Sequence, residues 1–361
     1  MFRKKHSLIK GTLILTSAGL VSRVLGFFFR IFLSHTFGEE QVGLYQLIFP
    51  FYALCLSLST SGLETAISRS VSRFHSLGRT QDGKLIFQTG LILSVLISLI
   101  CTFLVQKNSV FLSNRFLGDP RCATLLYLIV LALPAASVHS CICGYHYGLQ
   151  RTSVPAISQL IEQFVRISSV FVLYFIHNGV HPEIPLAVSG IIFGELAAAG
   201  YSLFSLKKRG FDTDSPYILS ISKSCSELLR LSVPLTVNRT AITFLQGIEA
   251  ASIPVCLELA SHSASEALSI YGVLTGMALP CILFPCALTN SVSLLLIPAV
   301  AQKQAESSSK ETFLLIKKAA GGCFSLGLLC SVFFLLTGSF LGNFLFHSAL
   351  AGNFIVTLAW I

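Results

Sequence analysis

Charged residues are scarce in this chain. Aspartate, glutamate, lysine and arginine make up 11% of its 361 residues, against about 25% in a soluble globular domain. Hydrophobic residues make up 53% and mean hydropathy is +0.76, which together exclude a soluble fold. Acidic residues are the rarer sign, 16 against 25 basic, leaving a formal net charge of +9. That excess does not imply nucleic acid, because the basic residues stand between apolar runs, where loops of membrane proteins carry them. Zinc and redox spacings are missing as well. The eleven cysteines contain no CxxC, only Cys141-x-Cys143, and read as small apolar packing residues in a reducing compartment. The nine histidines show no metal-ligand spacing, so neither metal nor cofactor is expected.

What fills the chain is a series of apolar runs. At about 20 residues per crossing, spans are expected near 10–36, 43–68, 85–106, 122–144, 154–177, 184–206, 231–257, 267–298 and 319–338, with a tenth starting near 351. The basic start, Met1 to Lys10, resembles a signal peptide. The run behind it is too long for one and is broken by Arg23 and Arg30, so it reads as a retained helix. Prolines within spans (Pro50, Pro134, Pro234, Pro280, Pro285) mark expected kinks beside cavities. With the N-terminus inside, inner segments hold 18 Lys/Arg and outer segments three, Lys107, Arg115 and Arg121. That asymmetry predicts a multi-pass plasma-membrane protein with a cytoplasmic N-terminus.

An internal repeat organises these spans. Tyr45 corresponds to Tyr271, an offset of 226, and Phe111-Leu112-Ser113-Asn114 to Phe340-Leu341-Gly342-Asn343, an offset of 229. Two lobes of the same orientation follow: 1–225 with six transmembrane helices, and 226–361 with three and the start of a fourth. Carried forward, the offset takes Leu131 to Trp360, so the chain is expected to stop inside its tenth helix. The fold class expected is an all-α polytopic membrane protein of two pseudo-symmetric six-helix lobes, the second incomplete here.

Particular stretches carry a family resemblance. Ser22-Arg23-Val24-Leu25-Gly26-Phe27-Phe28-Phe29-Arg30-Ile31, Gly43-Leu44-Tyr45-Gln46 with Pro50, Ser61-Gly62, and Ala66-Ile67-Ser68-Arg69 resemble the stage V sporulation protein B family. Residues Pro155 to Arg166 and Tyr271-Gly272 with Pro285 are similar too. That family is related to the MurJ lipid II flippases within the multidrug/oligosaccharidyl-lipid/polysaccharide superfamily. The resemblance implies a MATE/MurJ-like V of two lobes that moves undecaprenyl-diphosphate-linked sugar precursors across the plasma membrane, with cell-wall synthesis enzymes as partners. The chain departs from the family pattern at Glu64, where proline is usual, and at Cys143, where arginine is usual.

Charges inside the spans are the candidate site, since each costs about 2.5–3.5 kcal/mol at the bilayer centre on insertion scales. Arg23 and Arg30, seven residues apart, fall within about 20° on one helix face and roughly 10 Å apart along it. Guanidinium stays charged at any working pH and can grip phosphate oxygens through paired hydrogen bonds. Arg239 in the first helix of the second lobe would face the same cleft if the repeat symmetry holds, and these three arginines are the expected substrate site. Glu162 and Arg166, at i,i+4 with the acid first, have the order of an intrahelical pair. With Glu64, Glu195 and Glu249 they form the candidate coupling or gating set. Arg69 and Arg73 are expected at the inner mouth, against anionic phospholipids.

Three other functions compete. A cation-coupled multidrug exporter needs carboxylates, and the first span has two arginines and no acid. A truncated chain could insert without transporting. A membrane glycosyltransferase would use Asp212-Thr213-Asp214, but a solvated loop beside Lys207, Lys208 and Arg209 explains that DxD better, and no enzymatic role is expected.

Overall fold

The structure, a computed structural model, describes residues 2–176, 183–209, 219–286 and 309–360, with single helical positions at 289, 296 and 300. Every regular element among them is helical. Eight of these helices are long and apolar enough to cross a membrane, and they account for the first nine expected spans. The first two expected spans are one continuous element. Helix α1 (Phe2–Leu56) bends at Gly38, whose φ of 78° and ψ of 173° break the helical ladder, and runs on through a π turn, Ser57–Ser61, into α2 (Gly62–Ser76). Only glycine takes such a φ without a Cβ clash, so a bend stands where the hydropathy pattern suggested a loop.

The chain then forms α3 (Thr80–Lys107), a short α4 (Ser109–Leu112) and α5 (Cys122–Ile129). A 3₁₀ turn, Val130–Ala132, leads into α6 (Leu133–Gly148), where Pro134 occupies the first turn. A proline there lacks only an N–H that the helix start leaves unused, so the span near 122–144 is broken rather than straight. Next come α7 (Ser153–Ile176), α8 (Pro185–Arg209) and α9 (Ile221–Leu259), the last with Pro234 and Pro254 inside it. The final described elements are α10 (Ala264–Gly272), a π turn Val273–Ala278, α11 (Leu279–Ile282), α12 (Ser309–Phe346) and α13 (Ala349–Thr357).

By contact the chain forms two compact units: Leu44–Leu268, and Met1–Gly43 with Ser269–Ile361. The lobes 1–225 and 226–361 describe repeat ancestry, a different property from contact grouping, and remain a proposal. The Leu44–Leu268 unit has a core of Ile67, Val71, Phe74, Ile86, Phe87, Ile142 and Leu228. Many other large apolar side chains point outward, among them Phe103, Phe164, Phe175 and Phe204. That is the pattern lipid permits, since acyl chains are as apolar as the side chains facing them.

Helix association in lipid therefore leans on close approach and interhelical hydrogen bonds rather than on hydrophobic burial. A Cβ on Gly144 would stand 2.7 Å from the Glu64 carbonyl oxygen, and one on Gly194 would stand 2.9 Å from that of Glu162. Glycine at these two positions lets α6 approach α2 and α8 approach α7. Buried hydroxyls add cross-links: Ser94 donates to the Ser59 carbonyl at 2.6 Å, Thr102 to that of Val130 at 3.0 Å, and Ser224 to Thr89 at 3.2 Å. Such bonds are worth about 0.6 kcal/mol each within membranes. In the other unit, Gly338, Gly342 and Gly352 form the crossing of α12 with α13, and His35 Nε2 lies 2.7 Å from the Leu345 carbonyl.

Gly144→Val should cost about 1–3 kcal/mol by overpacking, seen as a lower unfolding midpoint of the purified protein in detergent. An unchanged midpoint would show that α2 and α6 do not need this close approach.

Candidate functional site

Each unit contains a polar cavity with a π turn in its wall. In the Leu44–Leu268 unit that wall is Ser57–Ser61, and its hydroxyls explain its shape. Ser59 donates to the Cys55 carbonyl at 2.9 Å, Thr60 to that of Leu56 at 2.8 Å, and Ser61 to that of Ser57 at 2.9 Å. Side chains that bond carbonyls one turn back compete with the regular helix ladder. π turns of this kind recur at functional sites.

The cavity beside this turn has a volume of about 440 Å³. Glu64 from α2, His139 from α6, Glu162 from α7, Glu195 from α8 and Arg239 from α9 all line it. Each of the three carboxylates has a polar or charged neighbour. Glu64 Oε2 accepts from Ser140 Oγ at 2.7 Å. Glu162 is ion-paired with Arg166 one turn along, both about four-fifths buried. Glu195 Oε2 lies 3.5 Å from His139 Nδ1, while His139 Nε2 is 2.9 Å from Ser158 Oγ. One ligand atom from each of His139, Glu162 and Glu195 lies within 4.8 Å of the others, a grouping of cation-site dimensions in which Arg166 already supplies a positive charge.

The second cavity belongs to the other unit and measures about 550 Å³. Arg23, Gly26, Phe27 and Arg30 line it from α1, facing Thr275, Leu279, Pro280, Leu283 and Phe284. Thr275 belongs to the π turn Val273–Ala278, and the rings of Phe27 and Phe284 are 5.1 Å apart. Arg23 is exposed and Arg30 partly buried. The cavity is amphiphilic, with two guanidinium groups along an apolar, aromatic wall.

The expected site residues are thus divided. Arg23 and Arg30 share one cavity, and Arg239 lines the other with Glu64, Glu162 and Glu195. Glu249 is exposed on α9 and lines neither. Arg69 is exposed on α2. Arg73 pairs with Glu227 at 2.8 Å and lies 4.6 Å from the centre of the Phe74 ring. Asp212 and Asp214 lie outside the described residues. Sequence reasoning missed His139, Ser140 and Ser158, because spacing along one helix does not reveal hydrogen bonds made between helices. Their signal was a polar pair, His139-Ser140, inside the apolar run near 122–144.

Arg166→Gln leaves Glu162 buried without a cation, and breaking a buried pair from one side costs about 3–5 kcal/mol. Its unfolding midpoint in detergent should fall further than that of the double variant Glu162→Gln/Arg166→Gln. Equal losses would show that pairing is not what keeps these residues at depth.

Comparisons with known proteins give a consistent picture. The family described as "Polysaccharide biosynthesis protein" matches residues 8–304. Stage V sporulation protein B of Bacillus subtilis (strain 168) is 30% identical over 361 residues, which cover 98% of this chain and 70% of that protein. Lipid II flippase MurJ of the same strain is 26% identical over 318 residues, 82% of this chain and 58% of the flippase. Among solved structures, an inward-facing multidrug resistance MATE family transporter of the MOP superfamily has a TM-score of 0.65 at 14% identity, covering 94% of this chain and 76% of its own. A MOP superfamily transporter from Pyrococcus furiosus, described as having a binding pocket of reverse polarity, scores 0.64 at 13% identity, covering 98% and 77%. At such identities the structural likeness concerns the fold.

Proposed function

Because the chain belongs to the family of polysaccharide biosynthesis proteins, and is a multi-pass membrane protein of the MATE-like fold, we propose that it is a flippase for an undecaprenyl-diphosphate-linked cell-wall precursor such as lipid II. The observation that carries this reading is the cavity shared by Arg23 and Arg30. A diphosphate needs cations that stay charged in a low-dielectric site, and guanidinium provides them with a fork that matches phosphate oxygens. The aromatic and leucine wall suits the first isoprene units, while the rest of the tail stays in lipid. The two lobes rock about the bound head group, and the carboxylates around Arg166 set the energetics of that movement. The N-terminus is cytoplasmic, Arg69 and Arg73 face anionic lipid at the inner mouth, and the product serves peptidoglycan or spore-envelope synthesis.

A second reading, a cation-coupled exporter of the same superfamily, is favoured by the carboxylates of the Leu44–Leu268 cavity. Against it, Arg166 and Ser140 already occupy Glu162 and Glu64, and Arg239 adds a cation to the same wall.

Arg23→Ala should reduce lipid II flipping in proteoliposomes at least tenfold, while membrane insertion stays at the wild-type level. Unimpaired flipping would remove Arg23 from the site. Binding of lipid II should also weaken as salt rises from 0.05 to about 0.5 M, less steeply than for fully exposed charges because the site is partly enclosed. A salt-independent affinity would mean that the tail alone is recognised.

A further inference from the structure

We propose that His139 and Glu195 form a proton-binding pair in which the Ser158 hydroxyl is the switch, and, resting on the flippase reading above, that this proton regulates transport. Three helices build the pair: His139 is on α6, Ser158 on α7 and Glu195 on α8. Glu195 is more than nine-tenths buried, and its Oε2 has no hydrogen-bond partner among the described residues. It points at His139 Nδ1, 3.5 Å away. The imidazole also borders the cavity, so a proton has a path to it from that side.

The hydrogen bonds at Ser158 permit two protonation states of the ring. Ser158 Oγ lies 2.9 Å from His139 Nε2 and 2.9 Å from the Pro155 carbonyl oxygen, and a hydroxyl has one proton to give. When Ser158 donates to Nε2, that nitrogen is bare and the neutral ring carries its proton on Nδ1, toward Glu195. When Ser158 turns to the Pro155 carbonyl, Nε2 must carry a proton and donate to Ser158. The ring can then be imidazolium, with Nδ1–H facing the Glu195 carboxylate at 3.5 Å. Uptake of one proton from solvent therefore forms one N–H bond, rotates one hydroxyl and keeps Nε2 hydrogen-bonded to Ser158 in both states. Release reverses both steps.

The surrounding charges make this proton consequential. Glu162 and Arg166 of α7 neutralise each other whatever the ring does. Glu64 of α2 is held by Ser140, Arg239 of α9 lines the same cavity, and Cys143 and Tyr147 share α6 with His139. Tyr52 of α1 lies within electrostatic reach of Glu195. With Glu195 ionised, protonating His139 cancels the one carboxylate charge that no fixed cation balances among His139, Glu162, Arg166 and Glu195. A metal ion at His139, Glu162 and Glu195 would instead meet the Arg166 guanidinium, which already holds Glu162.

The test uses the full chain carrying ¹⁵N-histidine in detergent, its imidazole signals followed from pH 5 to 9 and assigned with His139→Gln. One signal should titrate, vanish in His139→Gln and move in Glu195→Gln and in Ser158→Ala, which keeps every charged group. In proteoliposomes, the initial rate of lipid II movement should change severalfold under an imposed pH gradient and lose that response in His139→Gln. A His139 signal that does not titrate overturns the pair. So does saturable Zn²⁺ or Na⁺ binding that disappears in His139→Gln, which would make the site metallic. Lipid II movement indifferent to the gradient in the wild type overturns the regulatory role while leaving the flippase reading intact. If the wild type moves no lipid II, the flippase reading falls, and a titrating His139 still supports the pair.

Discussion

A charge held at membrane depth costs several kcal/mol unless something nearby answers it, and the Leu44–Leu268 unit is organised around that requirement. Glu162 has Arg166, Glu64 has Ser140 and Glu195 faces His139. The contacts at Glu64 and Glu195 join α6 to α2 and α8, and Ser158 joins α7 to His139, so answering these charges and bringing four helices together are the same event. Removing one partner would leave more than a missing bond. It would leave a buried charge, the situation that destabilises most.

Small residues make that convergence sterically feasible. Gly144 sits against the Glu64 carbonyl and Gly194 against that of Glu162, so both glycines lie beside the very turns that carry the acidic side chains. The hydroxyl run Ser57–Ser61 then opens the helix ladder where the cavity needs a polar wall. In the other unit the same materials are arranged for a different ligand. Two arginines one heptad apart lie beside a π turn and the tilted rings of Phe27 and Phe284. One cavity is thus suited to holding an anion, and the other to holding balanced charge that a single proton can tip.

Much of this was legible from the chain. Hydropathy located α7 to within a few residues, expected near 154–177 and found at Ser153–Ile176, while α9 and α12 begin about ten residues before their expected spans. The i,i+4 spacing named the Glu162–Arg166 pair, because helix geometry alone decides that contact. What could not be read was whatever depends on backbone strain or on several helices at once. The bend at Gly38 removed an expected loop, and Pro134 split an expected span. His139 escaped notice because its partners, Ser158 and Glu195, are 19 and 56 positions away in the chain, and no periodicity records a contact between helices. Glu64 is explained by its donor, Ser140, on a different helix.

The central claim is that an anionic lipid head group, rather than a cation, is the ligand of the arginine cavity. Native mass spectrometry of the purified chain offered lipid II, undecaprenyl phosphate and a cationic dye together tests it most directly. The account predicts selective retention of lipid II, with undecaprenyl phosphate weaker and the dye absent. Retention of the dye in preference to either lipid would contradict it and would make the carboxylates of the Leu44–Leu268 cavity the binding site.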